Sequence, residues 1–248
     1  MATEFKTKGI ILRKKEWREA DLLFYIYSEN FGKIEIMATG VRKAKSKLAG
    51  HLASPGIVEL NFVKGKAFFR LTHAFLHNQW KFKSADDFYL YSAIMEIVDK
   101  TIREGESNER IWKLILWACE NIIKADKLAK KILVLNIFII KLLTQIGYEI
   151  RTEKCGQCGN AFETSAKYDF NSNHFYCGKC SQIGRFISLN GINVVNATKL
   201  QQPLILKLSE KEIFELNSFL VDYMEYYTER SFMGMRFFAS IKSSEHQK

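Results

Sequence analysis

The sequence predicts an α+β chain in which a small five-stranded β-barrel at the N-terminus is followed by an α-helical domain carrying an inserted four-cysteine zinc finger. Three observations predict this. Apolar and polar residues alternate in short runs punctuated by turn residues from Phe5 to Leu76. At Ser84 the apolar period lengthens from about 2 to about 3.6 residues, the change from strand to helix. Four of the five cysteines fall in "CGQCGNAFETSAKYDFNSNHFYCGKC", residues 155–180. The expected division is a barrel over 1–80, the first part of a helical domain over 81–150, a zinc finger over 151–184 and the rest of the helical domain over 185–248.

The barrel strands are read in "FKTKGIILRK", "ADLLFYIYS", "GKIEIMAT", "GIVELNFV" and "KAFFRLTHAFL". Asn30-Phe31-Gly32-Lys33 separates the second run from the third, and Lys64-Gly65-Lys66 separates the fourth from the fifth. The first junction, "KKEWREAD", is longer and charged. Between the third and fourth runs lies "GVRKAKSKLAGHLASPG", which holds Arg42, Lys43, Lys45 and Lys47 and no acidic residue. Five short strands of this kind fit a small closed barrel.

Ser84 and Asp87 form an S-x-x-D capping box, and the helix they open places Phe88, Tyr91, Met95, Val98 and Ile102 on one face. A second helix follows Ser107 with Ile111, Leu114, Ile115, Ala118 and Ile122 inward. A third runs from about Lys127 to Gly147, a C-cap glycine. Beyond the cysteines, Ser209 with Glu212 opens a helix through "EIFELNSFLVDYMEYYTE". The longest apolar run, "ILVLNIFIIKLLTQIGY", is broken by Asn136 and Lys141 and falls short of the roughly 20 residues that cross a bilayer. With a polar, charged "MATEFKTKGI" at the start, the expectation is a cytoplasmic protein with no membrane partner.

Cys155, Cys158, Cys177 and Cys180 are spaced C-x2-C-x18-C-x2-C. Each C-x-x-C turn directs two thiolates the same way, and two such turns close a tetrahedron around Zn²⁺ with S–Zn distances of about 2.3 Å. Four thiolates fill the shell, so one structural zinc is expected rather than a catalytic one. His174 is near enough to substitute as a ligand, but with four cysteines in place it is read as a surface residue. Cys119 is read as a small core residue.

The chain carries a formal charge of +10, and residues 1–80 hold 14 basic against 7 acidic side chains. A positive field of this kind points to a polyanion. Sites for single-stranded nucleic acid combine cations that track phosphates with aromatics that stack on bases. Both occur here: Lys14, Lys15 and Arg18 beside Trp17; Phe24, Tyr25 and Tyr27 on the second strand; Arg42 to Lys47 in the 40s loop; and Arg70 beside Phe68 and Phe69. Strand side chains alternate, so about half of these aromatics belong to the core. Trp17 is the candidate exposed ring, with a core position as the alternative. No catalytic constellation is visible: His51, His73, His77, His174 and His246 are scattered, and no phosphate-binding Gly-rich loop occurs. The competing readings are a zinc-ribbon adaptor for another protein and an RNA-binding protein.

The block "TKGIILRKKEWREADLLFYIYSENFGKIEIMATGVRKAKSKLAGHLASP" resembles the N-terminal domain of the bacterial RecO recombination mediators. "LLTQIGYEIRTEKCGQCG" is similar to the segment that leads into that family's zinc module, and "FLVDYMEYYTERSFMGMRFF" to its C-terminal helix. The resemblance implies an OB-fold barrel, a helical domain with a zinc finger, and a non-enzymatic role in DNA repair near the nucleoid. It implies binding to single- and double-stranded DNA, annealing of complementary strands, and contact with the C-terminal tail of the single-strand-binding protein. It also implies cooperation with RecR in loading RecA. The match covers Arg13, Arg42, Lys43, Lys45, Lys47 and the four cysteines. Where the family shows a basic "lKS" near the C-terminus, this chain reads Met233-Gly234-Met235-Arg236, leaving Arg236 as the basic residue there.

Overall fold

The computed structural model describes residues 3–202 and 208–241, so His246 lies outside the described residues. The chain divides into two compact units, Met1–Ile123 and Lys124–Lys248.

The first unit is built on an OB-fold barrel. Five strands, β1 (Glu4–Arg18), β2 (Asp21–Ser28), β3 (Gly32–Ala38), β4 (Gly56–Lys64) and β5 (Phe69–Gln79), close in the order β1-β2-β3-β5-β4. All neighbours are antiparallel except β3 and β5, whose parallel contact joins Ile36 to Phe69 and Met37 to Arg70. Inside the barrel the period-2 alternation places Phe24, Ile26, Ile34, Ile36, Val58, Leu60 and Phe62 in one apolar cluster.

Two features depart from the sequence reading. The charged "KKEWREAD" is no loose junction: β1 continues through it to Arg18 and turns directly into β2. Beyond Ile10 it pairs with β2 alone, because the pairing with β4 ends there. From Arg13 to Arg18 every residue of β1 is exposed, so this stretch carries no apolar alternation to betray it. The 40s loop likewise contains a helix, α1 (Lys47–Ala53). Leu52 is buried against the barrel core, and Leu48 and Ala49 pack beside it.

Helix α2 (Ala85–Thr101) starts at the predicted capping box: Ser84 Oγ accepts from Asp87 N–H while the Asp87 carboxylate accepts from the Ser84 N–H. Tyr91, Met95, Val98 and Ile102 are buried as expected, but Phe88 is 48% exposed and meets Phe82 edge to face instead. Helix α3 (Glu109–Lys124) buries all five predicted positions. Tyr91 Oη donates to the Ile11 carbonyl (3.4 Å) and Tyr27 Oη to the Asn108 carbonyl (3.3 Å), fixing this helical layer to the barrel.

The second unit joins α4 (Leu128–Gln145), α5 (Leu189–Lys199), α6 (Glu210–Thr228) and α7 (Met233–Ile241) to a three-stranded sheet. Gly147 takes φ +86° after α4, and the Tyr148 N–H donates back to the Leu143 carbonyl at 2.8 Å, a Schellman closure. Ser209 and Glu212 form the predicted capping box of α6. Asn136 of α4 and Asn217 of α6 are buried and hydrogen-bonded to each other at 2.8 Å. The sheet, β6 (Ser165–Asp169), β7 (His174–Cys177) and β8 (Arg185–Ser188), has the order β7-β6-β8 and so runs past residue 184, where the zinc finger was expected to end. Tyr168 and Phe175 of this sheet meet Phe219 of α6 with ring centroids 5.7 Å apart in each pair, the first edge to face and the second tilted. Among the described residues no helix is long and apolar enough to cross a membrane.

Candidate nucleic-acid interface and metal centre

A cleft of about 450 Å³ opens on the barrel where the β1–β2 turn faces the β4–β5 hairpin. Trp17, Arg18, Met37, Lys66, Phe68 and Arg70 are among the residues that line it. The β1–β2 register shifts between Glu16 and Arg18, placing Trp17 at a bulge. Bulges re-aim a side chain out of the pleat. Here the indole emerges 44% exposed and meets Phe68 edge to face, with centroids 5.0 Å apart. On the opposite wall, the Gly65 N–H donates to the Phe68 carbonyl at 3.1 Å. A Cβ on Gly65 would lie 2.3 Å from that oxygen, so only glycine lets the hairpin turn this tightly.

Three cations, Arg18, Lys66 and Arg70, share the cleft with one carboxylate, Asp21. Asp21 Oδ1 already accepts the Gly40 N–H at 2.7 Å, and the Arg42 N–H donates to the Ala20 carbonyl at 3.0 Å. These bonds hold the start of the basic 40s loop against the β1–β2 turn. Arg42, Lys43, Lys45 and Lys47 are all exposed along it, with Arg42 3.3 Å from Glu16.

The predicted nucleic-acid residues therefore divide. Trp17, Arg18 and Arg70 come together in the cleft, and Arg42 stands beside its rim. Lys14 and Lys15 are exposed on the β1 ribbon across from Phe24 and Leu23. Arg13 is otherwise engaged: its guanidinium lies 3.2 Å from the centre of the Tyr25 ring and pairs with Asp99 of α2 at 2.5 Å. Asp99 also receives Lys33 at 2.9 Å, so the two cations and the carboxylate fasten α2 to the barrel. The strand-two aromatics are not on the open surface, since Phe24 and Tyr27 are buried and Tyr25 is only 9% exposed. Lys66, missed in the sequence, is brought in by the hairpin that its own "KGK" signals.

In the second unit the sulfur atoms of Cys155, Cys158, Cys177 and Cys180 all lie within 4.8 Å of one another. Backbone bonds shape the two turns: Gly159 N–H to the Cys155 carbonyl (2.9 Å) and Cys180 N–H to the Cys177 carbonyl (3.0 Å). Burial resists ionisation of Cys155, yet the backbone N–H groups of Cys158, Cys177 and Gln157 outweigh it and hold the thiol down to about 6. Cys180 is pushed up to about 12, first by its hydrogen bond to Cys177 and then by burial and the other sulfurs. Four sulfurs this close do not ionise together unless a cation sits among them, and an all-thiolate tetrahedral set fits a structural metal. His174 lies outside the group and hydrogen-bonds the Ser172 carbonyl at 2.6 Å.

Comparison with known proteins accounts for both halves. Residues 1–80 match the family described as "Recombination protein O N terminal", and residues 83–236 match "Recombination protein O C terminal". The chain belongs to the RecO family. Among its RecO relatives is the DNA repair protein RecO of Dehalococcoides mccartyi strain CBDB1, 31% identical over 201 residues, which covers 77% of each chain. The RecO protein of Clostridium perfringens strain 13 is 27% identical over 222 residues, 86% of this chain and 89% of the relative. That of Acetivibrio thermocellus is 25% identical over 244 residues, 95% and 96%. The N-terminal match ends where β5 gives way to α2, and the C-terminal match takes in all four cysteines.

Proposed function

We propose that this RecO-family chain is a DNA-repair recombination mediator that binds single- and double-stranded DNA and anneals complementary strands. In this reading it works with RecR and the tail of the single-strand-binding protein to help load RecA. The observation that carries the DNA reading is the cleft, where an exposed indole is ringed by Arg18, Lys66 and Arg70 and flanked by the basic 40s loop. OB-folds use the loops between strands 1–2 and 4–5 to bind oligonucleotides, and those are the loops that wall this cleft. The names of the relatives agree with the repair context.

The mechanism is electrostatic and breaks no bond. Cations on the barrel neutralise phosphates of both strands, reduce their mutual repulsion and release counterions as each strand is taken up. Cys155, Cys158, Cys177 and Cys180 would hold a single Zn²⁺, which would tie the two C-x-x-C turns together and fix the sheet that packs on α6. Anisotropy of a labelled single-stranded oligonucleotide, titrated at several salt concentrations, tests the DNA reading. The native chain is expected to show a steep fall of affinity with salt. A variant with Arg42, Lys43, Lys45 and Lys47 changed to Ala is expected to lose roughly 0.7 of log–log slope for each phosphate contact removed. Equal slopes for the two proteins would move the DNA surface elsewhere.

A further inference from the structure

Within the proposed DNA surface, on which this step rests, the cleft and the 40s loop present different chemistry. The loop offers charge alone, in exposed side chains that any phosphate backbone can reach. The cleft offers a ring. Trp17 meets Phe68 at an interplanar angle of 80°, so neither ring lies flat on the other, and the indole is left partly open to solvent. Beneath lies an apolar floor: Met37, which lines the cleft, clusters with Leu23 and Tyr25 on the outer side of β2 and β3, and Phe68 packs against them. Around the rim stand Arg18, Lys66 and Arg70. At about 450 Å³ the space is within the range of roughly 300–1,000 Å³ typical of small-ligand sites.

We infer that this cleft takes one unpaired base, stacked on Trp17 with its flanking phosphates on Arg18, Lys66 and Arg70, and that it thereby distinguishes single-stranded from duplex DNA. A base in a duplex has both faces covered by its neighbours and cannot enter without being unstacked, at a cost of a few kcal/mol. Duplex is left to the 40s loop. The division gives annealing a direction: the cleft holds a strand while its bases are free and loses its grip once they pair, so the product stays attached only through salt-sensitive phosphate contacts.

The full-length chain is titrated into a labelled single strand, the same strand paired with its complement, and the same strand carrying abasic sites. Trp17→Ala is expected to weaken single-strand binding about tenfold, in line with the loss of one base–aromatic stack. Its affinity for duplex stays at the native level, which also shows that the variant is folded, and Trp17→Phe retains most of the single-strand affinity. Abasic substitution weakens the native chain by the same factor and leaves Trp17→Ala unaffected. An equal loss on single strand and duplex, or no loss on either, overturns the inference, the latter leaving the ring to a protein side chain. The salt slope of the native chain is read separately: if the native protein binds neither DNA, the DNA reading itself fails.

Discussion

At the scale of single residues, the decisive distinction is between charges that are already matched and charges that are still on offer. Arg13 and Arg42 look alike in the sequence, yet one is clamped between Tyr25 and Asp99 while the other, on an exposed loop, meets the exposed Glu16 carboxylate at 3.3 Å, a contact that water and salt weaken. Arg13→Ala is therefore expected to act on stability. It leaves Asp99 with Lys33 alone and strips the cover from Tyr25, and a lower midpoint in urea with an unchanged salt slope of DNA binding is the expected pair of results. Ser209 and Glu212 give a second case. Glu212 is held below the ordinary carboxylate range, chiefly by the Ser209 N–H and then by its hydroxyl. A carboxylate lowered on folding stabilises above its unfolded value near 4.5 and loses that contribution as pH falls through the folded value. Ser209→Ala should cost about 0.5–2 kcal/mol at neutral pH, measured by urea denaturation. The difference from the native chain should shrink as pH falls below the unfolded value near 4.5 and on through the lower folded value of Glu212.

Among elements, what could be read from the sequence follows the range of the interaction that makes each one. Both capping boxes and the Gly147 closure were legible because each is settled within a few residues. The inward faces of α2 and α3 were legible from their period, with Phe88 the exception, exposed and set against Phe82. The ribbon of β1, helix α1 and the three strands of the cysteine module were not. The end of β1 from Arg13 to Arg18 is exposed throughout, α1 is a single short docked piece, and the small strands depend on the sulfur cluster and on α6 for their place. Of the candidate site, the residue types were legible and their grouping was not, since the side on which Phe24 or Tyr27 falls is set by strand register. The α4–α6 contact yields its own prediction. Asn217→Ala removes the donor to buried Asn136 and should cost about 1–3 kcal/mol, whereas replacing both asparagines with Leu should be nearly neutral. Chemical denaturation of the single and double variants decides between these.

Over the whole molecule, each compact unit has its own means of support. The first is closed by a barrel core, and the second relies in part on four sulfurs that must be held together. A strong chelator, or Cys177→Ser, is thus expected to lower the thermal stability of the second unit and release about one zinc per chain, measured with a colorimetric indicator. Salt-dependent binding of DNA through the barrel should survive the treatment. Loss of DNA binding by a metal-free protein whose barrel remains folded would make the finger part of the DNA surface instead of a clasp.

The 40s loop is anchored at both ends. Gly40 and Arg42 are pinned to the β1–β2 turn, and Lys47 begins a helix whose Leu52 is sunk in the barrel. A basic arm hanging free would surrender conformational freedom worth about 1–2 kcal/mol for every residue it immobilised on a phosphate. With its two ends fixed beforehand, this one has less of that freedom left to lose. Under the proposed function, a loop already held at both ends offers its cations with part of their ordering complete before a strand arrives.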